Sequence, residues 1–223
     1  MSASRTAVCT RVAASLIALM VNCLARRAES DCTPLIDGLN PRSWNTSRAP
    51  FLGDAIGQTF RARDTVITRL TFWRPPNFPS VIGAHLFITA VDTTRVPPRP
   101  DTHSILLDGP TVHVYDSTPP GQLIRMDFVL TPPLALPRPG LYAWFLQAED
   151  CWQGQPWIII ANDNNPYPDG IYWITGDVRV GCYLRGVYGG EEAVDLIFQI
   201  EYCHSTPTPV FPRSWGSVKV LYR

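Results

Sequence analysis

From residue 55 to residue 202 apolar and polar side chains alternate in short runs, and the alternation has a period of two. Such a period belongs to strands with one face on a core, because successive side chains of extended backbone point to opposite sides. The runs are Ile56–Ala62, Val66–Trp73, Gly83–Val91, Thr111–Tyr115, Leu123–Leu130, Gly140–Ala148, Trp157–Ala161, Gly170–Thr175 and Asp195–Tyr202. Met126, Phe128 and Leu130 share one side of their run, and Leu196, Phe198 and Ile200 share one side of theirs. In His85–Val91 both parities carry apolar residues, so both faces of that strand are expected to be partly covered.

Pro75-Pro76, Pro97-Pro98-Arg99-Pro100, Pro119-Pro120-Gly121 and Pro132-Pro133 interrupt any helical period and are expected between strands. No window sustains a helical pattern. About nine strands with turn residues between them predict an all-β, antiparallel sandwich or barrel, of which the β-sandwich is preferred. A parallel βαβ architecture would need helices between the strands, and the pattern supplies none.

The first thirty residues follow another rule. Arg5 and Arg11 precede an uncharged stretch, Val12 to Ala25, and Arg26, Arg27, Ala28, Glu29 and Ser30 follow it. A basic start, a short apolar core and small residues at alternate positions is the layout of a secretory signal. Its apolar core is shorter than the roughly 20 residues that cross a bilayer. Cleavage fits after Ala25 or after Ser30; a lipid anchor on Cys23 is a minor alternative, since Asn22 departs from the lipoprotein pattern. The expected division is a signal peptide over 1–30, a sandwich domain over 31–204, and a linker and short tail over 205–223.

Removal of the signal turns a chain with 19 basic and 19 acidic residues into one with 15 and 18. No basic stripe remains, which argues against a nucleic-acid partner held by its phosphates. Four cysteines stay with the domain: Cys32, Cys151, Cys182 and Cys203. An even number in an exported chain reads as two disulfides, with three connectivities open. Cys32–Cys203 with Cys151–Cys182 is preferred, because the chain ends of a sandwich tend to lie close together. None of the four is close enough in sequence to another for the paired spacing of a zinc site.

Gly57-Gln58-Thr59-Phe60, Phe128-Val129-Leu130 with Leu134, Pro139-Gly140-Leu141-Tyr142-Ala143-Trp144, Asn165-Pro166-Tyr167-Pro168-Asp169-Gly170 and Asp195-Leu196-Ile197-Phe198 resemble segments of the jelly-roll domains of bacterial extracellular proteins, which implies a β-sandwich of jelly-roll type. The resemblance spans roughly residues 55–202 and implies likeness to galactose-binding-like and carbohydrate-binding modules, which are commonly non-catalytic. It also implies that a structural calcium ion can sit near the final strand, bringing in Asp195.

Candidate chemistry is sparse. No serine lies in a nucleophile elbow, and His85, His103, His113 and His204 come without a catalytic motif. The adjacent acids Glu149-Asp150 and Glu191-Glu192 point apart in extended backbone and are poor facing pairs for glycoside hydrolysis. The chain is therefore read as a non-enzyme, with an unrecognised hydrolase as the lesser alternative. Asn162, Asp163, Asn164, Asn165 and Asp169 crowd oxygen donors into one loop, suited to calcium, with Asp163 and Asp195 as the expected metal ligands; ordinary turn chemistry explains the same residues. Trp152, Trp157, Tyr167, Tyr172 and Trp173 cluster around that loop. Aromatic platforms beside amides and carboxylates are what a sugar needs. Trp152 and Tyr167 are expected to be exposed, with Asn164 and Asp169 as hydrogen-bonding partners, and Trp157 and Trp173 to be core. The expected function is recognition of a glycan or cell-surface polymer; the alternative is a structural or adhesive module with no small ligand. Asn45-Thr46-Ser47 is a glycosylation sequon only in a host that uses one.

Overall fold

The computed structural model describes residues 32–49, 54–75, 81–115, 121–149, 158–175, 184 and 186–205. These form thirteen strands: β1 (Cys32–Gly38), β2 (Thr46–Arg48), β3 (Ala55–Ala62), β4 (Val66–Arg74), β5 (Val81–Asp92), β6 (Arg99–Tyr115), β7 (Ile124–Ala135), β8 (Gly140–Ala148), β9 (Ile159–Asn162), β10 (Tyr172–Thr175), β11 (Val187–Glu191), β12 (Asp195–Leu196) and β13 (Phe198–Ser205). A single 3₁₀ turn, Pro41–Ser43, is capped by Asn40, whose side chain accepts from the Arg42 amide. No α-helix occurs among the described residues, and none of their segments is a helix long and apolar enough to cross a membrane. Pro34–Cys203 makes one compact unit; of the second grouping, 1–33 with 204–223, the described residues are the strand ends Cys32, Thr33, His204 and Ser205.

The strands build a six-stranded sheet in the order β11-β10-β3-β8-β5-β6, a four-stranded sheet in the order β1-β13-β4-β7, and a three-stranded sheet in the order β12-β9-β2. The pairings around the core are antiparallel: β3 with β8, β8 with β5, β5 with β6, β4 with β7 and β4 with β13. Period two decides which side chains go in. Ile56 and Phe60 of β3, Leu86 and Ile88 of β5, and Tyr142, Trp144 and Leu146 of β8 share one face, and all are buried. Leu70 and Phe72 of β4, Met126, Phe128 and Leu130 of β7, and Phe198 and Ile200 of β13 belong to the same buried cluster. Trp144 from the six-stranded sheet meets Phe72 and Phe198 of the four-stranded sheet, at ring-centroid distances of 4.5 and 5.6 Å. Face-to-face burial of this kind, sheet on sheet, makes the fold β-sandwich-like.

The outer face of the six-stranded sheet is covered too. Phe87, Ala143, Phe145, Trp173 and Val187 form a second buried cluster there. That explains why β5 carries apolar residues in both parities. Gly57 sits opposite Phe145 in register, and a β-carbon there would lie 2.1 Å from the Trp144 carbonyl oxygen and 2.5 Å from the Phe145 ring. Only glycine lets the two strands and that ring share the space.

Thirteen strands replace the nine expected. The additions are β1, β2, β11, β12 and the first two thirds of β6; they lie at sheet edges. Pro100, Pro132 and Pro133, expected between strands, lie within β6 and β7, the outermost strands of their sheets. An edge strand has one side without ladder partners, so a missing N–H costs nothing there. The run Asp195–Tyr202 is not one strand but two: Asp195 and Leu196 pair with β9, and from Phe198 the chain pairs with β4. Cys32 and Cys203 are joined by a disulfide, as the sequence led us to expect. Cys151 and Cys182 lie outside the described residues, as do residues 1–31, where a signal was expected, and the tail beyond Ser205.

Candidate functional site

The loop between β9 and β10 is built on a buried carboxylate. Asp195 is fully buried and accepts hydrogen bonds from Gln58 Nε2 at 2.8 Å and from the Tyr167 amide at 2.7 Å. Gln58 Oε1 accepts in turn from the Leu196 amide at 2.5 Å. Burial, opposed by these two donors, raises the Asp195 carboxyl from 3.8 to about 6. Gly170 is required beside them, since a β-carbon would come within 2.2 Å of Gln58 Nε2 and 2.4 Å of Asp195 Oδ1. Thr59 completes the attachment: its hydroxyl donates to the Asp169 carbonyl at 3.0 Å and accepts from the Ile171 amide at 2.9 Å.

So anchored, the loop presents two side chains to β3. Arg61 alternates to the outer face with Thr59 and Gly57. Its Nε and one terminal nitrogen donate to the two oxygens of Asp169 at 2.9 and 2.8 Å. The hydrogen bond and charge of Arg61 hold the Asp169 carboxyl below its ordinary range. The Arg61 amide donates to the Tyr167 hydroxyl at 3.2 Å. Tyr167 does not offer a platform. Its ring is half-buried and packs edge-on against Phe198 at 5.3 Å, and burial raises its hydroxyl to about 12.

The other sequence-derived residues separate. Asp163 and Asn45 bond reciprocally, Asn45 Nδ2 donating to Asp163 Oδ1 at 2.5 Å and the Asp163 amide to Asn45 Oδ1 at 3.1 Å. Asn162 Oδ1 accepts from the Asn164 amide at 2.8 Å, and Asn164 itself is exposed. Asp163 is thus on the surface and Asp195 in the interior, each with its own partners. Among the described residues no three His, Cys, Asp or Glu side chains gather in a metal-holding group. Tyr172 and Trp173 are core, as expected of Trp173; Trp152 and Trp157 lie outside the described residues. Trp44, which the sequence reading passed over, is 42% exposed beside the Asn45–Asp163 pair.

One concavity of the described surface lies next to Arg61. A cleft of about 620 Å³ runs between the end of β3, the β5–β6 turn and the β7–β8 turn. Val91, Pro98, Leu106 and Tyr142 supply apolar lining, Arg61 and Arg138 supply positive charge, and no acid is among the lining residues. The volume falls within the range of small-ligand sites, roughly 300–1,000 Å³. Arg138 is exposed between Pro137 and Pro139, its carbonyl accepting from the Tyr142 hydroxyl at 2.8 Å. Its guanidinium has no partner among the described residues. Neither arginine was singled out from the sequence. The available signal was Pro137-Arg138-Pro139-Gly140, a cation held in a stiff turn leading into an aromatic strand.

A second polar group lies on the β5–β6 side of the same sheet. His113 and Glu149 meet at 2.6 Å over Gly83, whose missing β-carbon leaves room for the carboxylate. His85 bridges Thr111 Oγ1 at 2.8 Å and Asp108 Oδ1 at 2.6 Å. Glu149 therefore finds a histidine partner across the sheet, though it was considered in the sequence only for a facing pair with Asp150.

Fold and site together define an antiparallel, disulfide-linked β-sandwich-like protein with a cationic, apolar-floored cleft. No known protein family and no curated protein matches the chain.

Proposed function

We propose that the protein is an exported, non-catalytic recognition module of jelly-roll type that binds a glycan or surface polymer in the Arg61–Arg138 cleft. The observation that carries the reading is the cleft itself: apolar side chains form its walls, and two guanidinium groups supply directed donors. Carbohydrate sites combine these elements, since sugar C–H faces need apolar surface and their oxygens need fixed hydrogen-bond partners. Arg61 is preorganised by Asp169 and the loop that Asp195 anchors, which lowers the ordering cost of binding. Export is supported by the N-terminal pattern and by the Cys32–Cys203 disulfide, a bond that persists in oxidising compartments. The sequence resemblance to galactose-binding-like modules points the same way.

The test is a glycan-array screen of the purified protein alongside Thr93→Trp, which fills the cleft from its exposed rim without touching the core. Binding that Thr93→Trp abolishes supports the reading. Absence of any glycan ligand overturns it in favour of a structural or adhesive module. Binding that survives the substitution places the site elsewhere.

A hydrolase is the second reading, and the Thr111–His85–Asp108 chain favours it. A hydroxyl, an imidazole and a carboxylate in hydrogen-bond sequence is the arrangement that activates a nucleophile. Ester or amide hydrolysis lost in His85→Ala and Thr111→Val would establish it. No turnover above buffer would remove it.

A further inference from the structure

The chemistry of the cleft narrows its ligand to an acidic one. We infer that the Arg61–Arg138 cleft selects a carboxylate-bearing sugar, such as a uronic-acid unit of an acidic polysaccharide. This inference rests on the glycan-binding reading above and specifies the ligand class.

Most described surface arginines have an acidic partner: Arg61 has Asp169, Arg63 has Asp37, Arg69 has Glu201, Arg95 has Asp92 and Arg125 has Asp127, whereas the side chains of Arg42, away from the cleft, and Arg138, in it, have none among the described residues. Arg138 has none among the described residues, yet its backbone is held by flanking prolines and by the Tyr142 hydroxyl. A stiffly mounted, unpaired guanidinium over apolar surface is a donor awaiting an acceptor. Planar guanidinium matches planar carboxylate through two parallel hydrogen bonds, a fit that a neutral hydroxyl cannot reproduce. Arg61 adds a second guanidinium at the cleft, its charge offset by Asp169. Asp169 occupies its Nε and one terminal nitrogen, which leaves the other terminal nitrogen open. With no acid in the lining, nothing within the cleft repels an anion. Val91, Leu106 and Pro98 provide the apolar surface on which the ring of the sugar rests.

The experiment compares three polymers: polygalacturonate, its fully methyl-esterified form, and dextran sulfate. The first two share a sugar and differ only in charge. Each is titrated against the purified protein, Arg138→Ala and Arg138→Lys, at low and high salt. Arg138 is exposed and unpaired, so neither substitution should alter the melting temperature. Polygalacturonate is expected to bind about tenfold or more tightly than its ester, to lose that advantage in Arg138→Ala, and to recover it only partly in Arg138→Lys, because lysine lacks the bidentate fork. Added salt should weaken the acidic polymer selectively. If acid and ester bind equally and Arg138→Ala binds both as well as the parent protein, the acidic preference is wrong while glycan binding stands. If dextran sulfate outcompetes polygalacturonate through the same arginine, the carboxylate assignment is wrong. If none of the three binds, and the array screen is also blank, the glycan reading itself fails.

Discussion

Lowering the pH from about 7.5 to about 4 is expected to stabilise the fold rather than weaken it, and Asp195 is the reason. The carboxyl is fully buried among neutral partners, Gln58 and the Tyr167 amide, with no cation bonded to it. Its folded value of about 6 lies above the ordinary 3.8, so the native state holds the proton more tightly than the unfolded chain. The sign follows from that inequality. The stabilisation is complete below about 3.8 and is lost as the pH rises through about 6. The difference between the two values corresponds to about 3 kcal/mol, read as an order of magnitude. Asp92, Asp101 and Asp169 have the opposite tendency, but their depressed values place their loss of stability below the ordinary carboxylate range. The windows therefore separate. The assay is urea unfolding at half-unit pH steps for the parent protein and Asp195→Asn. Asparagine keeps an acceptor for the Tyr167 amide but turns its own amide toward Gln58, so the variant starts from lower stability and lacks the titration. The difference between the two profiles should vary by about 3 kcal/mol between pH 4 and pH 7.5. Parallel profiles would refute the assignment of a raised, buried carboxyl.

Other outcomes follow from packing. Gly57→Ala is expected to cost about 3 kcal/mol, since its β-carbon meets backbone and a ring that cannot retreat, whereas Gly83→Ala should cost about 1 kcal/mol, because Glu149 can swing away from His113; thermal unfolding separates the two. Phe72→Ala, which strips Trp144 and Phe128 of a neighbour, should lower stability by about 4 kcal/mol in the same assay. Cys32→Ser is expected to cost about 5 kcal/mol in the chain-entropy account, given the length of the loop closed, and reductant should reproduce the effect in the parent protein. Arg61→Ala should change stability by about 0.5 kcal/mol, because its pair with Asp169 is solvent-exposed, yet weaken cleft binding as much as Arg138→Ala does.

Central strands were legible in the sequence and edge strands were not. β3, β4, β5, β8 and β13 have neighbours on both sides, and their inward residues must alternate cleanly to fill one core. β1, β2, β11, β12 and most of β6 lie at edges, where Pro34, Pro100, Pro110, Gly189 and Gly190 are tolerated because one side of the strand makes no ladder. Those residues read as punctuation in the sequence. The site divided along similar lines. The loop Asn162–Gly170 was recognisable as polar and dense, but its partners were not: Gln58 is 137 residues from Asp195, and Arg61 is 108 from Asp169. Local composition identified a loop with something to hold, while the sheet register decided that most of its groups hold the loop to β3. Tyr167 was expected as a platform because its neighbours are turn residues; the edge-on contact with Phe198 is a tertiary fact with no local trace.

The chain from Asp195 to Ser205 serves two layers in succession, first beside β9 and then, past Ile197, beside β4. Neither layer is finished until that segment arrives, and it is synthesised after the other described strands. A nascent chain that still lacks it leaves Gln58, the Asn162–Gly170 loop and the inner face of β4 without their closing partner. The two layers should therefore close together, in one concerted step, once residues 195–205 are in place.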